Sequence, residues 1–229
     1  GVQFDQVPTS LLAQVDSSVG GKTGVDLGKM KNMIGSFAHP NAIVVDTDVL
    51  SSLQDEKMRE GLVEVVKIAA MTDKEFFGWL EENLDQVMDR EKNAINVCIR
   101  NAAQLKIDIV EKDEREESHR IFVNFGHTVG HAVESLSHFS ISHGKAVSIG
   151  MACEMEITKT KGQERVLKLL ERLDMPLMIP LDLRNQPLWE IMQNDKKALG
   201  GEVRIAAPKE IGAPVVETIT IDDFFRARS

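Results

Sequence analysis

Ile95-Asn96-Val97-Cys98-Ile99-Arg100-Asn101-Ala102-Ala103-Gln104-Leu105-Lys106-Ile107-Asp108-Ile109 carries the clearest periodicity in the chain. Ile95, Cys98, Ile99, Ala102, Leu105 and Ile109 recur at three- and four-residue spacing, which puts them on one helix face over four turns. A stripe of this length predicts a helix packed in a core. Upstream, Met58, Leu62, Val65 and Val66 share a second helical face, with Glu60, Glu64 and Lys67 on another. Asp73 stands where an N-cap would precede Phe76, Phe77 and Leu80. Downstream, Thr128–Leu136, Gly144–Lys159, Gln163–Leu173 and Pro187–Leu199 are further helix candidates, the last ended by Gly200-Gly201. Val203–Ala206 and Pro214–Thr220 alternate as strands around Gly212, predicting a terminal hairpin, and Asp222 is a candidate cap for a last short helix.

The N-terminal quarter reads differently. Val2–Val7 and Ala42–Asp46 predict short strands, the second apolar throughout, as in a strand buried on both faces. Between them Gly20, Gly21, Gly24, Gly28 and Gly35 indicate tight turns or close approach of backbone to a ligand. The fold class expected is therefore mostly α: a helical domain over 54–229 with a C-terminal β-hairpin, preceded over 1–53 by the edge of an α/β unit. The chain begins at Gly1, with a strand pattern at once, so it is expected to be part of a longer protein.

The 229 residues are 42% apolar and 28% charged, a globular balance that excludes disorder over the whole length. No apolar run of about 18 residues suggests a membrane span. Twenty-seven basic against 36 acidic residues give a net charge of −9, which opposes a general nucleic-acid surface but not a local anion site. Two cysteines, Cys98 and Cys153, in helical segments argue against a disulfide framework and for a reducing compartment.

Four of the six histidines fall between 127 and 143. His127 and His131 are four apart and would share a helix face, an arrangement that suits either a transition metal or a core. Glu64 and Lys67 are three apart: either a solvated ion pair, or a metal ligand beside a substrate-holding cation. Asp16-Ser17-Ser18-Val19-Gly20-Gly21-Lys22-Thr23 could cradle an anion or be a plain glycine loop; it lacks the first glycine of a Walker A motif. Lys106, Arg120 and Asn124, with Glu116 and Glu117 nearby, form a polar group upstream of His127, and Asp195-Lys196-Lys197 reads as an exposed helix end.

These pieces occur in one order. Pro-Thr-Ser-Leu-Leu-Ala-Gln-Val-Asp-Ser-Ser-Val-Gly-Gly-Lys-Thr-Gly (8–24), Lys-Asn-Met-Ile-Gly (31–35), Gly-Leu-Val-Glu-Val-Val-Lys (61–67), Asn-Phe-Gly-His-Thr-Val-Gly-His-Ala (124–132), His-Gly (143–144) and Asp-Lys-Lys (195–197) closely resemble 3-dehydroquinate synthase, over about residues 1–215. The resemblance implies a carbon–oxygen lyase of the shikimate pathway of aromatic amino-acid biosynthesis. Such an enzyme converts a seven-carbon keto-acid phosphate to 3-dehydroquinate and phosphate in the cytoplasm. It implies a Rossmann-like NAD domain followed by a helical metal domain, and a homodimer. By motif, Glu64, His127 and His143 should bind the metal, normally zinc, with cobalt an alternative. His131, Glu116 and Lys67 should be catalytic. Asp16, Lys22, Asn32, Lys67, Lys106, Arg120, Asn124 and Lys196 or Lys197 should hold substrate. Thr9, Ser10, Lys31, Ser51 and Ser52 should touch NAD.

Departures from the pattern bear on these expectations. The glycine-rich nucleotide fingerprint is absent, so this chain alone is expected to be a poor catalyst that needs a preceding NAD-binding segment. Lys145 replaces the usual Glu, which would bring a positive charge close to a metal ligand, and Gln54, Glu56, Lys57 and Glu60 also differ from the family. Two alternatives remain at this stage: another sugar-phosphate cyclase, or a non-catalytic metal-binding remnant.

Overall fold

A computed structural model describes residues 2–27, 30–113, 119–183, 187–195 and 202–226. Among them the chain is mostly helical with two small antiparallel sheets, each of two strands. Residues 2–7 and 41–46 run side by side rather than forming full strands. Gln6 N–H donates to Ala42 O and Val44 N–H to Gln6 O, both at 2.9 Å, making a single parallel bridge. The expectation of a strand buried on both faces at 42–46 is not met: Val44 and Val45 are 53% and 39% exposed. Their apolar run needs layers on both sides, and the described residues supply none.

The segment then makes a wide helical turn, Ala13–Ser17, closed by Ser18 N–H to Ala13 O at 3.1 Å. Next comes a two-stranded ribbon, β1 (Lys22–Leu27) and β2 (Met30–Phe37), with Lys22 opposite Phe37 and Gly24 opposite Gly35. The glycine-rich stretch is thus largely a β-ribbon rather than a loop. Gly28 lies outside the described residues.

The helices follow: α1 (Asp55–Thr72), α2 (Lys74–Met88), α3 (Lys92–Lys112), α4 (His127–Leu136), α5 (His143–Thr158), α6 (Gln163–Arg172) and α7 (Leu188–Asp195). The Asp73 carboxylate accepts the N–H groups of Glu75 and Phe76, each at 2.9 Å, as its N-cap position predicts. The α3 stripe is buried as read, with Leu105 partly so. α1 departs from the two-faced pattern. Every residue from Gly61 to Met71 is buried, and Glu60 with them, because α2, α3, α5, α6, the wide turn at Ala13–Ser17 and the C-terminal hairpin strands pack around it. A helix enclosed on all sides has no solvated face on which to place its charges.

β3 (Val203–Glu210) and β4 (Ala213–Ile219) form the expected hairpin, turning at Ile211-Gly212. α8 (Ile221–Arg226) follows. Its cap is Thr220, not Asp222. Thr220 N–H donates to Asp223 Oδ2 (3.0 Å) and Asp223 N–H to Thr220 Oγ1 (3.3 Å), a reciprocal box. The main core joins α1, α2, α3, α6 and the turn residues Leu11, Val15 and Leu50. A second cluster, with Val129, Val133, Trp189, Met192, Ile205 and Phe224, backs α4 and α7. The two clusters hold α1, α4 and α5 as a rigid frame for the site below. No helix among the described residues is long and apolar enough to cross a membrane.

Candidate metal centre and anion cleft

Glu64 projects from the middle of α1, His127 from the first turn of α4, and His143 from the first turn of α5. Their ligand atoms all lie within 4.8 Å of one another. Glu64 Oε1 is 3.3 Å from His143 Nε2 and 3.9 Å from His127 Nε2. Ligand atoms on a tetrahedral zinc sit about 3.3 Å apart, so the set closes on an ion with small side-chain adjustments. Glu64 is 2% exposed, and its Oε1 is buried without a well-aligned hydrogen bond. A buried carboxylate oxygen in that condition is costly unless a cation completes it. The two ring nitrogens remote from Glu64 are occupied. His127 Nδ1 lies 3.1 Å from Phe125 O, and His143 Nδ1 lies 3.6 Å from Glu134 Oε2. Both rings therefore turn Nε2 toward Glu64, the arrangement a metal site needs.

The electrostatics agree. Burial would raise the Glu64 pKa, but Lys67 and the two imidazoles hold it well below the usual carboxylate range. Burial, helped by Lys67, lowers His127 to about 3, which keeps it neutral. Burial also opposes the charged form of His143, yet Glu134 and Glu64 outweigh it and raise that ring to about 9. Lys67 Nζ contacts Glu64 Oε2, and both side chains are almost fully enclosed. The solvated ion pair considered from spacing alone is thereby corrected, because α1 is surrounded. His131, one turn beyond His127, has its ring 5.3 Å from that of His127 and 6.5 Å from that of His143.

A cleft of about 620 Å³ includes Asp16, Lys22, Thr23, Ser36 and Lys106 in its wall. The Lys106 ammonium donates to Asp16 O (2.6 Å) and Asp16 Oδ1 (2.5 Å). Burial would raise Asp16, but Lys106 and Lys67 bring it below its usual value. Lys106 is itself lowered, by burial first, against the pull of Asp16. Two lysines and the open backbone of the ribbon suit an anion here.

The remaining expected residues are less gathered. Thr9 is exposed, and Ser10 Oγ accepts Ala13 N–H at 3.3 Å. Ser51 and Ser52 hydroxyls donate within their own turn, to Asp48 O (2.7 Å) and Val49 O (3.1 Å). Asn124 is half-buried two residues before the α4 N-cap. Glu116, Glu117, Lys196 and Lys197, and the side chains of Lys31, Asn32 and Arg120, lie outside the described residues.

Lys145 is a correction. Its ammonium pairs with Glu56 Oε1 at 2.5 Å, joining the first turns of α5 and α1, while Lys57 pairs with Glu60 at 2.9 Å. The departures at 56 and 145 thus pair with each other at the surface. Sequence reasoning missed Glu134 and Glu154, two buried carboxylates on α4 and α5. Their signal was available: acidic residues set among Ala, Val, Met and Ile in helices that otherwise face the core.

Solved enzymes share this fold. The chain resembles 2-epi-5-epi-valiolone synthase from Streptomyces hygroscopicus subsp. jinggangensis 5008, solved with NAD+ and Zn2+ bound, with a TM-score of 0.86 at 26% identity; the match covers 98% of this chain and 65% of that one. It shares the fold of a 2-deoxy-scyllo-inosose synthase solved with carbaglucose-6-phosphate, NAD+ and Co2+, with a TM-score of 0.85 at 22% identity, covering 100% and 67%.

The sequence narrows the class further. Residues 61–198 match the C-terminal part of 3-dehydroquinate synthase and residues 1–60 the N-terminal part, so the chain belongs to the 3-dehydroquinate synthase family. It is 41% identical over 224 residues to 3-dehydroquinate synthase of Pelotomaculum thermopropionicum, covering 95% of this chain and 60% of that protein. It is equally identical over 223 residues to the synthase of Hydrogenovibrio crunogenus, covering 94% and 62%. The chain thus spans about three fifths of the length of these relatives.

Proposed function

We propose that this chain is the metal- and substrate-binding part of a cytoplasmic, homodimeric 3-dehydroquinate synthase, acting on 3-deoxy-arabino-heptulosonate 7-phosphate together with a preceding NAD-binding segment, the division falling near residue 53. The convergence of Glu64, His127 and His143 beside the buried Lys67 carries the reading. A divalent ion held there would lower the pKa of a substrate hydroxyl, and NAD would take up and return a hydride.

The chain's own residues supply the rest. Lys67, buried against Glu64, would offer its ammonium to a substrate oxygen held there. Lys22 and Lys106 on the cleft wall suit the carboxylate and phosphate of the substrate. Asp16 holds Lys106 in place while lowering the local excess of positive charge. His131, whose ring lies near both imidazoles, would carry a proton as phosphate leaves. Arg120, Asn124, Asn32 and Lys196 or Lys197 complete the substrate set in this reading, Glu116 joins His131 in proton transfer, and Thr9, Ser10, Lys31, Ser51 and Ser52 make the NAD contacts.

The test joins this chain to the preceding segment of the Pelotomaculum relative and follows phosphate release with zinc and NAD present. Turnover to 3-dehydroquinate is expected, and a His131→Ala version should keep its metal and lose at least a hundredfold in rate. A metal-loaded chimera that releases no phosphate, or a His131→Ala version at full rate, would sink the proposal. The likeness to 2-epi-5-epi-valiolone synthase favours one second reading, a cyclase for a different sugar phosphate. Turnover of such a substrate in place of the keto-acid phosphate would select it.

A further inference from the structure

α4 and α5 pack as an antiparallel hairpin, and each places one metal-binding imidazole in its own first turn. Neither first turn is capped by the side chain of its own N-cap residue, Gly126 or Ser142. A buried carboxylate from the opposite helix reaches each end instead. Glu154 of α5, 0% exposed, accepts Gly126 N–H at 2.6 Å and Val129 N–H at 3.1 Å, on either side of His127. Glu134 of α4, 3% exposed, sets Oε2 3.6 Å from His143 Nδ1.

We propose that Glu154 and Glu134 are reciprocal positioning residues that aim His127 and His143 at Glu64. This rests on the reading of those three residues as metal ligands.

Three features carry it. First, N–H groups of a helix start attract an anion, and Glu154 provides one where the glycine N-cap cannot. The turn it secures also contains Phe125 O, which fixes the His127 ring through Nδ1. Second, a carboxylate behind an imidazole sets the ring's orientation and strengthens it as a ligand. Glu134 is so placed behind His143. Third, the helices touch backbone to backbone. A Cβ on Gly150 would fall 1.9 Å from Gly126 O, and one on Gly130 would fall 3.0 Å from Ala146 O. The two first turns cannot slide independently, so each carboxylate acts on a stiff support. Burying two carboxylates is expensive, and core packing alone would not call for charged groups at these positions.

The experiment titrates Co2+ into the 229-residue chain and into its Glu134→Gln and Glu154→Gln variants, read by visible absorption, with far-UV circular dichroism on the metal-free proteins. Each variant is expected to bind Co2+ about 10- to 100-fold more weakly, with a shifted absorption band and an unchanged dichroism spectrum. Equal affinity and an identical band in wild type and both variants would overturn the positioning role while leaving the ligand set standing. No Co2+ binding by wild type would overturn the metal reading, and this inference with it. If Glu154→Gln fails to fold, Glu134→Gln alone decides on the same criterion.

Discussion

Lys106 bonds Asp16 across 90 residues of sequence, and the pair ties the wide turn at 13–17 to α3. Because the Asp16 pKa is lowered on folding, its contribution to stability is complete above the unfolded value of about 3.8 and is lost as the pH falls through the folded value. Asp16→Asn leaves the 7%-exposed Lys106 without its counter-ion. It should cost about 2 kcal/mol in urea unfolding at pH 7. It should also flatten the loss of stability that wild type shows below about pH 4. A variant as stable as wild type at pH 7, with the same acid limb, would remove this pair from the fold's supports. Glu64 and Lys67 are the contrasting case. Spacing alone left their pairing open between solvent and site, because the i,i+3 relation is the same in both. What decides is the enclosure of α1, a property of its neighbours rather than of the seven residues around it.

The elements were legible wherever one face met water. The stripe of α3, the Asp73 cap of α2 and the β3–β4 hairpin all follow from period and capping chemistry. Legibility failed where burial lacks a periodic signature. α1 is buried all round, the Val44-Val45 run is exposed, and glycines at 20–35 serve a ribbon as readily as a turn. The candidate metal ligands were accessible through resemblance; Glu134 and Glu154 stood out only as acidic residues in core-facing helices, since their role depends on how α4 meets α5. That contact makes its own demand. Gly150→Ala would drive a methyl group to 1.9 Å from Gly126 O. It should destabilise the chain by about 3 kcal/mol, the upper part of the usual overpacking cost, because the obstacle is backbone rather than a flexible side chain. Chemical denaturation measures it. A loss below half a kilocalorie per mole would mean that the helices can separate, and that the glycine contact does not set the site's geometry.

The molecule as a whole joins a ribbon and extended N-terminal segment to a helical body, with the Lys22–Lys106 cleft where they meet and the candidate metal centre inside the body. Membership of the 3-dehydroquinate synthase family gives this arrangement a chemical setting, and Lys145 is paired with Glu56 at the surface. The most direct measurement is metal content per chain by elemental analysis after zinc loading and desalting. It should be run on wild type, Glu64→Ala and His127→Ala side by side, with dichroism confirming that each is folded. One zinc per wild-type chain, and none retained by either variant, is the expected result. A folded wild-type chain without zinc, or either variant still holding one ion per chain, would contradict the assignment on which the proposed chemistry stands.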